Sequence, residues 1–198
     1  MISFEQTIPQ LLFLIVIICS LAIAILAITA SSTKVFQFFP PPKKEGWQHP
    51  TFMWLFRGFV YPLFVLSILN FKPIETRWDT LFLAIGIPLL IVGFGLAFWI
   101  TFQMGWRNAF GEKRGLITTG WFSWSRNPVY VVTWVGLIGW LLSVRDSQVT
   151  ILLAIWGLFY FFAPYFEEPW LEQMYGQPYL DYKAKTPRFW GLPFQTHD

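Results

Sequence analysis

Five apolar stretches alternate with polar connections along this chain. Residues 8–30 are an uncharged apolar run, long enough to cross a bilayer core of about 30 Å. A signal peptide is the competing reading. No basic residue precedes the run, and it is longer than an h-region, so it is read as a first membrane helix. Residues 31–50 form a polar loop, and Pro40-Pro41-Pro42-Lys43-Lys44 predicts an extended basic connector that cannot be helical. Residues 51–71 make a second span containing Arg57 and Pro62. Arg57 lies close to the start of that span, so its charge can snorkel to the interface or bind a headgroup. Residues 80–102 make a third span, after the short loop 72–79. Its Gly93 and Ala97 are a small-xxx-small pair that permits close helix approach, and Pro88 predicts a kink. Residues 128–143 and 148–166 are two shorter spans joined by the tight turn Val144-Arg145-Asp146-Ser147. They predict a short antiparallel helical hairpin.

The expected fold is therefore an all-α integral membrane domain over residues 1–198, with five transmembrane helices. The polar segments 103–127 and 167–195 flank the hairpin. The second of these carries an amphipathic helix.

Basic residues orient the bundle. One face receives Lys34, Lys43, Lys44, Arg107, Lys113, Arg114, Arg126, Lys183, Lys185 and Arg188, and the other receives only Lys72, Arg77 and Arg145. This asymmetry places the N-terminus outside and the C-terminus in the cytoplasm, together with the segments 103–127 and 167–195.

Composition agrees with a membrane protein and narrows the chemistry. The chain is 55% hydrophobic and only 13% charged. The basic residues flank apolar spans and form no stripe, which argues against nucleic-acid binding. Cys19 is the single cysteine, so neither an internal disulfide nor a cysteine zinc site is available. His49 and His197 are far apart in sequence, and no metal is expected. No Ser–His or Cys–His nucleophile pair is signalled.

The stretch that departs most from lipid-facing chemistry is Gly120-Trp121-Phe122-Ser123-Trp124-Ser125-Arg126-Asn127-Pro128-Val129-Tyr130. Asn127 predicts an N-cap and Pro128 a first helical position. Free N–H groups at a helix start attract anions, and Arg126 adds a full charge. The alternative is a cap that simply begins a helix. Because the hairpin returns the chain to the same face, Arg126, Asn127 and Tyr130 should lie near Glu167 and Glu168. Paired carboxylates beside an arginine can hold an amine or guide a cation, and Glu168 is the nearest candidate to accept an amine's proton. Equally, Glu167, Glu168 and Pro169 can begin a new helix. Leu171, Tyr175, Tyr179 and Tyr182 recur at helical spacing. They make either an interfacial aromatic belt or a face that attracts a cation.

Taken together, Leu116-Ile117-Thr118-Thr119-Gly120, Arg126-Asn127-Pro128-Val129-Tyr130 and Glu167-Glu168-Pro169-Trp170-Leu171 resemble the isoprenylcysteine carboxyl methyltransferase superfamily. So do Tyr175-Gly176, Tyr179, Tyr182 and Gly191-Leu192-Pro193-Phe194. That superfamily of integral-membrane methyltransferases includes phospholipid N-methyltransferases. The resemblance spans residues 100–195 or so. It implies S-adenosyl-L-methionine as methyl donor and a lipidic or small hydrophobic acceptor bearing a carboxylate, thiol or amine. It also implies a donor pocket built from the loop before the hairpin and the tail after it. Matched position by position, the donor-binding set is Arg107, Arg114, Gly115, Leu116, Ile117, Phe122, Asn127, Pro128, Val129, Tyr130, Glu167 and Tyr179. Arg126 and Glu168 are the candidates for catalysis. Arg126 is assigned to the donor's carboxylate by the anion-binding logic above.

Three positions depart from the resemblance. Asn127 stands where a histidine is usual, Val132 where a glycine is usual, and Ala163 where prenylcysteine-specific members carry an arginine. These departures leave two rival readings. One is a non-catalytic lipid-binding or scaffold protein on the same fold. The other is a sterol-reductase-like enzyme using NADPH, for whose larger bundle this chain is short.

Overall fold

A computed structural model describes residues 4–41, 46–105 and 115–190. Among the described residues the chain forms helices and no strands. In order they are α1 (Phe4–Thr33), α2 (Gln48–Leu69), α3 (Arg77–Met104), the single turn α4 (Trp121–Trp124), α5 (Pro128–Val144), α6 (Ser147–Tyr175) and α7 (Gln177–Lys185). Four are long and apolar enough to cross a membrane: Thr7–Thr33 within α1, then α2, α3 and α6. The fifth expected span, α5, is a shorter apolar helix of 17 residues, about 26 Å long at the usual rise per residue.

Local chemistry sets most helix ends. Thr76 and Asp79 form a capping box at the start of α3: the Asp79 N–H donates to Thr76 Oγ1 at 3.2 Å, and the Thr76 N–H donates to Asp79 Oδ2 at 2.8 Å. Arg145 ends α5 in the left-handed region at φ 57°, and Asp146 caps α6 by accepting from the Val149 N–H at 3.1 Å. The tight turn between these helices is as expected.

The end of α6 is not. Glu167, Glu168 and Pro169 lie inside a continuous helix of 29 residues, and no new helix starts there. The second arm of the hairpin is correspondingly long. The break comes at Gly176, whose φ of 59° is open to glycine and strained for other residues. Leu171 and Tyr175 therefore belong to α6, while Tyr179 and Tyr182 belong to α7. Their common spacing does not reflect a common helix.

Packing joins the helices in two ways. α3 and α5 approach backbone to backbone. A Cβ on Gly93 would lie 2.1 Å from the Gly136 nitrogen, and one on Gly139 would lie 2.2 Å from the Leu90 nitrogen. Small residues do this work in membrane proteins, where close dispersion contact replaces the hydrophobic drive. The rest of the core is larger. Val16, Phe59, Leu63 and Leu66 pack with Leu137, Leu152, Leu153 and Trp156. Two indole N–H groups stitch α5 to its neighbours: Trp140 donates to Ser67 Oγ at 3.0 Å and Trp134 to the Gly157 carbonyl at 3.0 Å. Arg57 is exposed on α2, its guanidinium 5.8 Å from the centre of the Trp54 ring, on the outside of the bundle.

Pro40 and Pro41 lie outside any helix, as expected, and are buried, while Lys43 and Lys44 lie outside the described residues. Val132 packs on Ala97 and Ile100 of α3.

Candidate active site

The start of α5 and the last turns of α6 meet at one end of the bundle, as the hairpin requires. Tyr130 donates its hydroxyl to Glu167 Oε1 at 2.5 Å. Arg126 pairs with Glu168 at 2.8 Å and donates through its other terminal nitrogen to the Lys183 carbonyl at 2.9 Å.

Asn127 occupies the cap position, but its side chain does not cap. Its amide donates instead to the Arg188 carbonyl at 3.0 Å, and Ser125 Oγ donates to the same carbonyl at 3.2 Å. The Arg126 N–H donates to the Pro187 carbonyl at 2.9 Å. The tail after α7 thus latches onto residues 125–127. Aromatic contacts extend the latch along the hairpin, with Phe189 5.0 Å from Trp134 and 5.7 Å from Phe161 between ring centres.

Glu168 sits among cations. Its Oε1 accepts from Arg126 and from Arg188 Nε at 2.7 Å, and its Oε2 accepts from Arg188 at 2.8 Å. Lys183 lies 3.4 Å away. A carboxylate offers about four lone-pair sites, and these contacts use them. Glu168 was expected to accept a proton from an amine, yet no edge of it is left for one. Lys183 also bonds Glu172 at 2.6 Å, which holds its ammonium above the usual lysine range. Hydrogen bonding to Glu168 likewise raises Arg188 above the usual arginine range.

On α7, Tyr179 and Tyr182 are buried, and burial pushes both phenols well above their usual range. They stay neutral. Tyr182 donates to the Phe122 carbonyl at 2.7 Å, tying α7 to α4.

These groups surround one cavity of about 340 Å³, within the size of ordinary ligand pockets, roughly 300–1,000 Å³. Gly115, Leu116, Ile117, Phe122, Arg126, Asn127, Pro128, Val129, Tyr130, Glu167, Glu168 and Tyr179 all line it. Arg107, Arg114 and the closing Gly191-Leu192-Pro193-Phe194 lie outside the described residues. Val132 and Ala163 are buried but are not among the lining residues. Among the described residues no group of His, Cys, Asp and Glu is arranged to hold a metal ion.

Several lining residues escaped the sequence reading. Phe39, Pro40, Pro41, Phe52 and Phe56 come from the first half of the chain, and Thr101, Met104, Tyr160 and Trp170 complete the walls. A signal for some existed: Phe52 and Phe56 are one helical turn apart, and Phe38-Phe39-Pro40-Pro41 is too apolar for a solvated loop. Arg188 and Lys183 were counted only as cytoplasmic charge. Nothing in their spacing announced Glu168 as their partner.

The profile of the family described as "Phospholipid methyltransferase" matches residues 81–178. A mouse protein named "Protein-S-isoprenylcysteine O-methyltransferase" is 34% identical over 91 residues, which is 42% of this chain and 29% of that protein. The rat protein of the same name matches to the same extent. The chain thus spans less than a third of the curated relatives it matches. No solved structure matches. Residues 81–178 thus carry the signature of the superfamily of integral-membrane methyltransferases that holds the phospholipid and isoprenylcysteine enzymes. With four helices long enough to span and a fifth apolar helix beside them, the chain is a multi-pass membrane protein.

Proposed function

We propose that this protein is an S-adenosyl-L-methionine-dependent methyltransferase acting on a lipidic or small hydrophobic acceptor at the cytoplasmic side of the membrane. One observation carries the reading. Every described residue assigned to the donor by resemblance lines the same cavity. The first half of the chain supplies an apolar end to it.

The residues fit a zwitterionic, cationic donor. Arg126 is 92% buried at its side chain and its Nε has no hydrogen-bond partner among the described residues. A buried donor left unpaired is costly and calls for an acceptor, and a ligand carboxylate is one. The positive end of the α5 dipole adds to that attraction. Glu167 and the rings of Tyr130 and Tyr160, whose centres are 4.5 Å apart, suit a positive centre. When bound, the donor supplies a methyl group already activated for displacement, and the protein's part is to orient it against the acceptor.

Glu168 takes a supporting role in this scheme. It fixes Arg126 from one side while Arg188 and Lys183 balance its charge. Glu167 has one oxygen bonded to Tyr130 and lines the cavity. It is the better placed group to take a proton from a protonated amine acceptor. A thiolate or carboxylate acceptor needs no base.

Calorimetry with S-adenosylhomocysteine on the purified chain tests the reading. Binding is expected, together with thermal stabilisation that NADPH does not reproduce. A folded preparation that binds no S-adenosylhomocysteine would refute the proposal. Incubating membranes with methyl-labelled donor then identifies the acceptor by the mass of the product. Base-labile label means an ester.

A further inference from the structure

The cavity is not uniform, and the two ends come from different parts of the chain. Its polar end is built by residues 115–130 and by α6 and α7. Its other end is built by Phe39, Pro40, Pro41, Phe52 and Phe56. All five lie before residue 81, outside the region that the family profile matches.

These five residues form a connected wall. Phe38 is fully buried behind it, 5.9 Å from Phe52 between ring centres. Phe39 lies 5.5 Å from Phe52, and Phe52 stacks on Phe56 at 5.9 Å with planes 10° apart. Phe56 meets the Trp156 ring edge-on at 6.3 Å, which anchors the wall to α6. The side chains offer no hydrogen-bonding atom, and the Pro40 carbonyl already accepts from Gln37 Nε2 at 2.7 Å.

This chemistry discriminates between occupants. A purine or an amino-acid moiety placed here would bury ring nitrogens or charges without partners, at a cost of roughly 2–7 kcal/mol per polar group. A hydrocarbon chain carries no such group. α2, which carries Phe52 and Phe56, also exposes Trp54, Tyr61, Phe64 and Val65.

We propose that Phe39, Pro40, Pro41, Phe52 and Phe56 form the subsite for the hydrocarbon chain of the methyl acceptor, and so set which acceptors are accepted. This rests on the methyltransferase reading for the acceptor's role, and on the wall's chemistry alone for the chain. Family resemblance is confined to the end that handles the donor, whereas acceptor choice is written in the unmatched first half.

The test separates the two readings. The full chain is placed in phosphatidylcholine nanodiscs with a fatty alcohol carrying a terminal diazirine. It is irradiated, and labelled residues are mapped by mass spectrometry. S-adenosylhomocysteine affinity is measured on the same preparation. Label is expected on Phe39, Phe52 and Phe56 as well as on lipid-facing Trp54 and Tyr61. In Phe52→Trp and Phe56→Trp, which fill the space, label inside the cavity should fall about tenfold or more. Label on the lipid face and donor-analogue affinity should stay. Phe39→Trp, outside any helix, serves the same purpose if a change in α2 prevents folding. The proposal is overturned if the cavity side chains take no label, or if the filled variants keep it. A fall in S-adenosylhomocysteine affinity in the filled variants also overturns it, since this end would then belong to the donor. If the wild type takes label in the cavity and binds no S-adenosylhomocysteine, the methyltransferase reading fails and the hydrocarbon site stands.

Discussion

Arg188 grips Glu168 with two parallel hydrogen bonds, Nε to Oε1 at 2.7 Å and a terminal nitrogen to Oε2 at 2.8 Å. Its guanidinium also lies 4.0 Å from the centre of the Tyr165 ring. The backbone carbonyl of the same residue accepts from Ser125 and Asn127. One tail residue thus locks the end of α6 to the start of α5. Arg188→Ala should lower stability by about 1.5–3 kcal/mol, the range for hydrogen bonds to a charged group. It should also weaken S-adenosylhomocysteine binding, because Arg126 loses its fixed partner geometry. Arg188→Lys keeps the charge but loses the fork, so it should recover stability better than affinity. Thermal unfolding and calorimetry on both variants check this.

The Tyr130–Glu167 pair makes a separate prediction. If Glu167 takes a proton from an amine acceptor, Glu167→Gln should reduce turnover by about 10²–10⁴-fold, the usual range for general-base loss. For a thiolate or carboxylate acceptor no base is required, and the loss should be confined to donor affinity. Steady-state turnover with labelled donor, set beside S-adenosylhomocysteine affinity, reads the two outcomes directly.

Gly93 and Gly139 hold α3 against α5. A methyl group at either would meet backbone at 2.1–2.2 Å, and backbone cannot rotate away as a side chain can. Gly93→Ala and Gly139→Ala should each destabilise by about 3 kcal/mol, near the upper end for overpacking. Gly95 in the same helix is exposed and would meet nothing within 4 Å. Gly95→Ala should be neutral or stabilise by up to about 1 kcal/mol. Unfolding in one detergent compares all three.

At the other end of the bundle, Arg145 pairs with Asp79 at 2.6 Å and donates to the Lys72 carbonyl. It joins the hairpin turn to the start of α3, away from the cavity. Arg145→Ala should lower the melting temperature through the lost ion pair and the lost bond to the Lys72 carbonyl. S-adenosylhomocysteine affinity should remain within about twofold of wild type, below half the 1.4 kcal/mol that a tenfold change represents. A large loss of affinity would mean that the two ends are coupled.

The spans were readable because lipid demands that every backbone polar group be paired within its own segment. Apolar runs of sufficient length leave few alternatives to a helix. The start of α5 was readable for a local reason too: Pro128 at its first position lacks the N–H that would be unpaired there. The meeting of Arg126 and Tyr130 with Glu168 and Glu167 followed from the hairpin alone, since a tight turn at Arg145-Asp146 forces its outer ends together.

What the tertiary structure decided is where local signals are balanced. Glu167-Glu168-Pro169 suits a helix start as well as a helix interior. Contacts from Tyr130, Arg126 and Arg188 hold both glutamates in helical register through the proline, whose presence alone costs about 3 kcal/mol. Asn127 could have capped its helix, but the Arg188 carbonyl took its amide. The apolar end of the cavity left the faintest trace. Its walls join Phe39 and Phe52 to residues more than half the chain away, and no period in a sequence reports a contact at that range. Amino-acid order alone determined the membrane helices and the polar face on which a donor could sit. Which residues close that face into a cavity depended on packing between segments whose neighbours are set only once the bundle is assembled.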